Sequence, residues 1–243
     1  MIEFRAVSFA RGPARILHAV TLNVGRGEVV ALVGRSGSGK TTLLRLVNRM
    51  LSPTEGEVRV DDRSVSEWLP EELRRRTGYV IQEVGLFPHR TIGGNIATVP
   101  ALLGWPRERI EARVEELLEL VDLPPESFRD RWPDQLSGGQ RQRVGLARAL
   151  AADPPVLLMD EPFGAVDPIT RTELHREFLR LQSASPRTVL LVTHDLAEAA
   201  ALATRVAVLE AGRLVACDTP ADLERSSHPA VRALLDTRPQ LHA

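Results

Sequence analysis

The residues with the clearest chemical role lie at 34–42, where the sequence is GRSGSGKTT. The apolar run 29–33 precedes them and a helix-like segment follows, which is the context that a phosphate-binding loop requires. Glycine permits backbone angles that direct N–H groups at an anion, Lys40 adds a mobile charge, and Thr41 adds a hydroxyl for Mg²⁺. A glycine-rich surface turn is the alternative, but the strand–loop–helix order favours nucleotide binding. The predicted loop residues are Gly34, Arg35, Ser36, Gly37, Ser38, Gly39, Lys40, Thr41 and Thr42.

Two adjacent carboxylates, Asp160 and Glu161, end the apolar run 156–159. If that run is a buried strand, Asp160 lies at the same sheet edge as the phosphate loop and can hold Mg²⁺ directly or through water. Glu161 points elsewhere and can orient or deprotonate a water aimed at a γ-phosphate. A solvated acid pair is the alternative for this motif alone, and the phosphate loop earlier in the chain favours the catalytic interpretation.

A third motif, LSGGQ at 136–140, opens the helix-like sequence RQRVGLARALA. Its residues Ser137, Gly138 and Gly139 form a small helix N-terminus that is rich in hydrogen-bond donors. Any Ser-Gly-Gly can be a plain cap and turn, but the five-residue string is rare by chance. A second anion-binding helix start is unusual for one monomer, and it makes sense if it caps a nucleotide held by another copy.

Composition limits the classes to which the protein can belong. The chain has 243 residues, enough for one large domain or two small ones, and a formal net charge of −1. No long basic block is present, so a nucleic-acid partner is not expected. The single cysteine, Cys217, excludes an internal disulfide and fits a reducing compartment. The N-terminus is not expected to be a signal peptide, and no apolar run reaches the length of a membrane span.

Strands and helices that would position these motifs alternate along most of the chain. Strands are predicted at 2–7, 19–24, 28–33, 79–82, 156–159 and 188–192, with a turn at 8–16, a helix around 174–181 and hairpins that turn on Asp61–Asp62 and Ala211–Gly212. This alternation, with a phosphate loop after an early strand, implies an α/β fold. The sheet would be mostly parallel, with the ligand at the carboxyl ends of its strands.

The segment 87–132 differs from the rest because it contains no convincing strand. An amphipathic helix within it is indicated by apolar residues at i, i+4, i+7, i+8 and i+11, namely Ile110, Val114, Leu117, Leu118 and Val121. We therefore predict an inserted helical subdomain at 87–143. The catalytic core, with a β subdomain, would comprise 1–86 and 144–219, and a helical tail would follow at 220–243.

The phosphate loop, LSGGQ, LLMDE and a downstream THD occur in this order in the ATP-binding subunits of ABC transporters, which the chain resembles from Ile2 to about Leu223. The resemblance implies a RecA-like P-loop NTPase core, an antiparallel β subdomain and an inserted α-helical subdomain. It also implies ATP and Mg²⁺ as ligands, and two subunits, expected to be identical, placed head to tail around two ATP molecules. Each ATP then lies between the phosphate loop of one subunit and the signature segment of the other, which is Ser137, Gly138, Gly139 and Gln140.

The resemblance also implies roles residue by residue. Gln82 matches the glutamine that contacts Mg²⁺ and water and reports to the membrane partner. Glu161 matches the general base, although it could mainly orient the water, and His194 matches the histidine that holds the γ-phosphate; a structural histidine is the alternative. Asp167, in GAVDP, matches the loop aspartate that crosses the dimer interface. The implied Mg²⁺ ligands are Thr41, Gln82 and Asp160.

One position departs from the family pattern. The aromatic residue that usually stacks on adenine aligns with Arg11. Arg11 could stack its planar guanidinium on the base, Phe9 or another residue could take its place, or Arg11 could be a surface arginine.

The stretches VIQEVGLFPH, VPALLGWP and DEPFGAVDPITR resemble importers of quaternary amines and related osmoprotectants, such as glycine betaine, choline and carnitine. This resemblance implies a peripheral subunit on the cytoplasmic face of the cell membrane, with transmembrane permease subunits and, indirectly, an extracytoplasmic solute-binding protein. Many members carry a C-terminal pair of regulatory CBS domains, whereas the chain stops at Ala243. This difference either weakens the assignment to an osmoregulated importer or places the regulation elsewhere. An importer of another small solute, such as an amino acid, is the alternative.

Two other classes are less favoured. Soluble ABC ATPases that act on DNA or ribosomes carry an inserted coiled coil, zinc-binding cysteines or tandem ATPase units, and the sequence contains none of these. A regulatory nucleotide binder that does not hydrolyse ATP could lose Glu161 and His194, and both are present.

Overall fold

A computed structural model of the protein describes residues 1–82, 84–164 and 166–236. The strands are β1 (Ile2–Arg11), β2 (Ala14–Val24), β3 (Val29–Val33), β4 (Glu55–Val60), β5 (Arg63–Ser64), β6 (Thr77–Val80), β7 (Val156–Asp160), β8 (Thr188–Val192), β9 (Arg205–Glu210) and β10 (Arg213–Asp218). The helices are α1 (Lys40–Val47), α2 (Pro70–Arg75), α3 (Ile92–Ile96), α4 (Thr98–Leu102), α5 (Arg107–Leu120), α6 (Pro125–Phe128), α7 (Gly138–Leu150), α8 (Pro168–Ala184), α9 (Leu196–Leu202), α10 (Pro220–Glu224) and α11 (Pro229–Leu235). Contacts divide the chain into two compact units, Met1–Leu73 with the described residues from Thr188 onward, and Arg74–Arg187.

The centre of the first unit is β3, which lies between two parallel neighbours. Ala31 pairs with Leu191 of β8 on one side and with Val206 of β9 on the other. All five residues of β3 are buried, as expected for a continuous apolar run at the middle of a parallel sheet. The strand β10 adds an antiparallel edge next to β9. The predicted α/β fold with parallel central strands is confirmed.

A second sheet in the first unit is antiparallel, in the order β2-β1-β4-β5. Here the predicted turn at 8–16 is wrong, because β1 continues to Arg11, β2 begins at Ala14, and two residues remain for the turn. The pairing of β1 and β2 shifts register between Phe4 and Val7 and again around Phe9. Such bulges break the two-residue alternation on which strand prediction depends.

Both predicted hairpin turns are confirmed. Asp61 and Asp62 have φ angles of 52° and 60°, and Ala211 and Gly212 have φ angles of 45° and 76°. Two consecutive residues with positive φ are the requirement of the tight hairpin turn that matches the twist of antiparallel strands.

The second unit contains the parallel pair β6 and β7, in which Tyr79 pairs with Leu158. The predicted strand at 79–82 ends at Val80, so Gln82 lies in the loop that follows. The predicted amphipathic helix is α5, which buries Val114, Leu117 and Leu118. Among the described residues between β6 and β7 there is no strand, although the boundaries 87–143 of a separate subdomain stay a prediction.

The C-terminal part of the chain is helical over α10 and α11. Residues 237–243 of the predicted tail lie outside the described residues. Within 1–82, 84–164 and 166–236, none of the helices is both long and apolar enough to span a bilayer.

Candidate nucleotide-binding and catalytic site

The loop between β3 and α1 takes a path that requires glycine. Gly34, Gly37 and Gly39 have φ angles of 151°, 79° and 102°. A Cβ atom on Gly34 would lie 2.2 Å from the carbonyl oxygen of Leu209, and one on Gly39 would lie 2.5 Å from Cδ2 of Leu17. The loop packs closely on β9 and β2 as it enters the N-terminus of α1, so neither position has room for a side chain. This arrangement has the features of an anion-binding loop.

Lys40, the first residue of α1, lies against the loop that precedes it. Only 7% of its surface is exposed. Its Nζ atom donates hydrogen bonds to the carbonyl oxygens of Gly34, at 2.7 Å, and Arg35, at 3.0 Å. The ammonium charge is therefore held at the loop, where the positive end of the α1 dipole also lies. A phosphate group there would meet both charges.

His194 follows the strand that pairs with β3. The two strands are parallel neighbours, so their carboxyl ends lie at the same sheet edge, and the N–H of Thr193 donates to the carbonyl oxygen of Leu32 at 3.2 Å. His194 is exposed at this edge, which also carries Gly34 at the start of the phosphate loop. The first unit thus places His194 and the start of the phosphate loop at the same sheet edge.

In the second unit, Gln82 and Glu161 lie next to each other. They follow the parallel strands β6 and β7, and Nε2 of Gln82 donates to Oε2 of Glu161 at 3.2 Å. Glu161 has a φ angle of 47°, which is uncommon for a residue other than glycine and is concentrated at functional sites. The N–H of Gly164 donates to the carbonyl oxygen of Glu161 at 3.2 Å and closes the turn. The carboxylate therefore has a defined direction.

Asp160, the last residue of β7, has 4% of its surface exposed. Its carboxylate, the hydroxyl of Thr41 and the amide oxygen of Gln82 are hard oxygen donors of the type that Mg²⁺ prefers. No group of three or more His, Cys, Asp and Glu side chains forms a metal cluster within the described part of the chain. A Mg²⁺ ion that is held through substrate phosphates and one or two protein oxygens does not need such a cluster. The donor types therefore fit the predicted ion.

The signature segment forms the capped start of α7. Ser137 is the N-cap, and its Oγ accepts from the N–H of Gln140 at 3.3 Å. In return, the N–H of Ser137 donates to Oε1 of Gln140 at 2.9 Å. This reciprocal capping box fixes the helix start, while Ser137 and Gly138 remain exposed. The cap interpretation and the anion-site interpretation are compatible, because the first N–H groups of a helix have no partner within it.

Asp167 lies beside the signature segment. Both line one cavity of about 510 Å³ in the second unit. Asp167 is the N-cap of α8, and its Oδ1 accepts from the N–H groups of Ile169 and Thr170, each at 3.1 Å. The side chain of Thr170, and then these backbone groups, hold the pKa of the Asp167 carboxyl below its ordinary value.

Arg11 is exposed at the end of β1, beside the two-residue turn. Phe9 has 8% of its surface exposed and belongs to the core. This burial argues against Phe9 as the residue that stacks on a base, whereas the guanidinium of Arg11 stays at the surface.

Sequence reasoning missed Gln142, which lies one turn into α7 and is almost fully buried. Its Nε2 atom donates to the carbonyl oxygen of Pro162, the residue after Glu161. A signal was present, because Gln142 shares a helix face with Leu146 and Leu150 at i+4 and i+8. A polar residue on an apolar face is a candidate for a specific buried hydrogen bond.

The family model that matches this chain is that of ABC transporters, and two relatives of the chain are named as ATP-binding proteins of transport or uptake systems. Residues 17–164 match the family model described as ABC transporter. The chain is 49% identical over 227 residues to the glycine betaine/carnitine/choline transport ATP-binding protein OpuCA of Bacillus subtilis, covering 93% of this chain and 60% of that protein. It is 48% identical over 220 residues to the glycine betaine uptake system ATP-binding protein YehX of Escherichia coli, covering 90% of this chain and 71% of that protein.

A solved structure supports the same fold. The dimeric post-hydrolysis state of the ATP-binding cassette MJ0796 bound to ADP and Pi matches with a TM-score of 0.81 and 33% identity, covering 90% of this chain and 99% of that one. That protein is a dimer with bound nucleotide, as its description states.

Proposed function

Because the chain belongs to the family of ABC transporter ATP-binding proteins, we propose that it binds ATP and hydrolyses it to ADP and phosphate to energise a membrane importer. A phosphate loop alone would be compatible with any nucleotide-binding protein. The proposal of hydrolysis rests on the geometry of Glu161. Its backbone is left-handed, and its carboxylate accepts a hydrogen bond from the amide of Gln82. Such a carboxylate, directly after a buried strand, is suited to aim a water molecule at a γ-phosphate.

In this proposal the oxygen of a water molecule forms a bond to the γ-phosphorus, and the bond from that phosphorus to the β–γ bridging oxygen breaks. Glu161 orients the water, and a proton of the water passes to the Glu161 carboxylate or to the phosphate product. Lys40 and the N–H groups at the start of α1 stabilise the charge on the phosphate oxygens, and His194 holds the γ-phosphate. Bound Mg²⁺, with Thr41, Gln82 and Asp160 as its candidate ligands, would supply further charge neutralisation.

Two copies of the chain would form the active unit. Ser137, Gly138 and Gly139 place the N-terminal donors of α7 at a cavity, and Asp167 lies beside them. The phosphates of an ATP molecule bound by a second copy would satisfy these donors. The dimeric relative of known structure supports this arrangement, and a lone monomer should bind ATP but hydrolyse it poorly.

The solute is proposed to be a quaternary amine or a related osmoprotectant. This rests on the relatives named for glycine betaine, carnitine and choline transport, although the chain spans about 60% of the length of OpuCA. The solute itself would be bound by an extracytoplasmic protein and pass through permease subunits. This subunit would sit on the cytoplasmic face of the membrane, with residues from Gln82 to about Asn95 as the region that contacts the permease.

Reconstitution into proteoliposomes tests this function. The chain, its permease and its solute-binding protein should show ATPase activity that rises when the binding protein is loaded with glycine betaine, choline or carnitine. An equal or larger rise in ATPase activity with amino acids would show that the transported solute belongs to another class. Failure of cross-links placed between Gln82 and Asn95 to reach the permease would count against the importer itself.

A further inference from the structure

Gln142 connects the helix that begins at the signature segment to the loop that carries Glu161. It lies on α7, with 3% of its surface exposed, and its amide N–H donates to the carbonyl oxygen of Pro162. Pro162 is itself buried and directly follows Glu161. The contact therefore joins α7 to the backbone of the candidate catalytic loop within one chain.

The other end of the same amide indicates that packing alone does not explain Gln142. Its Oε1 atom is buried and has no hydrogen-bond partner among the described residues. Burying an acceptor without a partner costs free energy. Leucine would avoid that cost on a helix face that already contains Leu146 and Leu150, but it could not donate to Pro162.

The loop from Glu161 to Gly164 is restrained at several points. Its ends are joined by the bond between the N–H of Gly164 and the carbonyl oxygen of Glu161. Phe163 is buried and packs edge-to-face on His175 of α8, with ring centroids 4.8 Å apart. The bond from Gln142 holds the carbonyl of Pro162, which lies between Glu161 and Phe163 in the sequence. A strained residue such as Glu161 keeps its conformation only when its surroundings enforce it, so the direction of its carboxylate depends on these restraints.

We propose that Gln142 is a positioning residue that couples the signature segment to Glu161 of the same chain. The inference rests on the proposed function, in which the signature segment caps the ATP bound by a partner subunit. The start of α7 is fixed by its capping box, and Arg143 ties the same turn to α8 by an ion pair of 2.7 Å with Glu173. A shift of this turn on capping the partner's ATP would move the carbonyl of Pro162 and redirect the adjacent carboxylate.

The first test is the substitution Gln142→Leu in the full chain within its transporter complex. It should lower kcat for ATP hydrolysis about 10- to 100-fold while KM for ATP stays within about twofold, because misplacing a catalytic group affects turnover rather than binding. In a Glu161→Gln background, Gln142→Leu should leave the ATP-induced dimer unchanged. Parent kcat in the single variant would overturn the proposal, and so would a rise in KM with kcat unchanged, which is the sign of lost ATP binding.

Gln182→Leu is the matched control. Gln182 lies on α8, and its amide also donates to a main-chain carbonyl oxygen, that of Arg187, away from the Glu161 loop. This variant should retain the parent kcat even if its melting temperature falls. A loss of kcat equal to that of Gln142→Leu would show that any lost amide contact has the same effect, and the positioning role would be rejected.

A second variant, Gln142→Glu, decides the question if Gln142→Leu does not fold. A protonated carboxyl can donate to the carbonyl of Pro162, whereas a charged one cannot, and burial favours the protonated form. The ratio of its kcat to the parent kcat should therefore be high at low pH and fall as the introduced carboxyl ionises, with the melting temperature followed at each pH. A ratio that does not depend on pH would refute the role of the donor. If Glu161→Gln itself hydrolysed ATP at the parent rate, the role of Glu161 would be wrong instead, and a parent complex that did not hydrolyse ATP would refute the proposed function.

Discussion

The side-chain amide of Gln82 donates a hydrogen bond of 3.2 Å to the carboxylate of Glu161, although the two residues are 79 positions apart. The parallel pairing of β6 and β7 produces this contact, because both residues follow strands that end at the same edge. One residue is the expected link to the membrane partner and the other the expected catalytic carboxylate. Under the proposed function, their contact would give the permease a direct route to the hydrolytic site.

Replacing Glu161 by glutamine should abolish turnover and leave ATP binding intact. The amide keeps the size of the side chain but cannot accept a proton or orient water as a carboxylate does, so hydrolysis should fall by at least about 100-fold. Phosphate release measures turnover, and size-exclusion chromatography with ATP should show a trapped dimer. Glu126→Gln, at an exposed position on α6, is the control and should behave as the parent. Hydrolysis at the parent rate in Glu161→Gln would refute the catalytic assignment.

Replacing Lys40 by alanine should weaken ATP binding. The buried ammonium lies at the phosphate loop, and a hydrogen bond to a charged group contributes roughly 1.5–3 kcal/mol, which corresponds to about 10- to 100-fold in Kd. Isothermal titration calorimetry with ATP measures the change. Arg45→Ala removes an exposed charge from the same helix and should leave Kd nearly unchanged. Equal affinities in parent and Lys40→Ala would contradict the site.

Two substitutions at Ser137 should separate stability from function. Ser137→Ala removes the N-cap of α7 and should destabilise the protein by about 1 kcal/mol, whereas Ser137→Gly should cost only a few tenths of that. Both remove the hydroxyl proposed to face the partner's ATP, so both should lower ATPase activity in the dimer. Urea unfolding and phosphate release provide the two measurements. If activity followed stability across the pair, the signature segment would have only its capping role.

The stability of the fold should depend on Asp167 at acid pH. In the folded state the pKa of its carboxyl lies below the ordinary value of 3.8. The unfolded state therefore binds the proton more readily. The stabilisation is therefore present above the unfolded value near pH 4 and is lost as the pH falls through the lower folded pKa. Asp167→Asn can still cap α8 but does not titrate. Parent and variant should therefore have similar stability at pH 7 and diverge in pH dependence below about pH 4; parallel curves would contradict this assignment.

Much of the fold could be predicted because it depends on local patterns. The buried strands β3, β7 and β8 are continuous apolar runs, and the amphipathic spacing around Leu117 marks α5. The turn at 8–16 was predicted wrongly, because register shifts between β1 and β2 remove the alternation that identifies strands. Gln142 was overlooked for a related reason, since its partner Pro162 is distant in the chain and has no polar side chain.

The sequence by itself determined which residues could hold phosphate and that a buried apolar strand precedes them, because glycine freedom and apolar periodicity belong to a residue and its near neighbours. The tertiary structure alone decided which side chains meet. The bond between Gln82 and Glu161 and the anchoring of Pro162 by Gln142 follow from strand register and helix packing. These are set by contacts between segments far apart in the chain, for which local pattern contains no information.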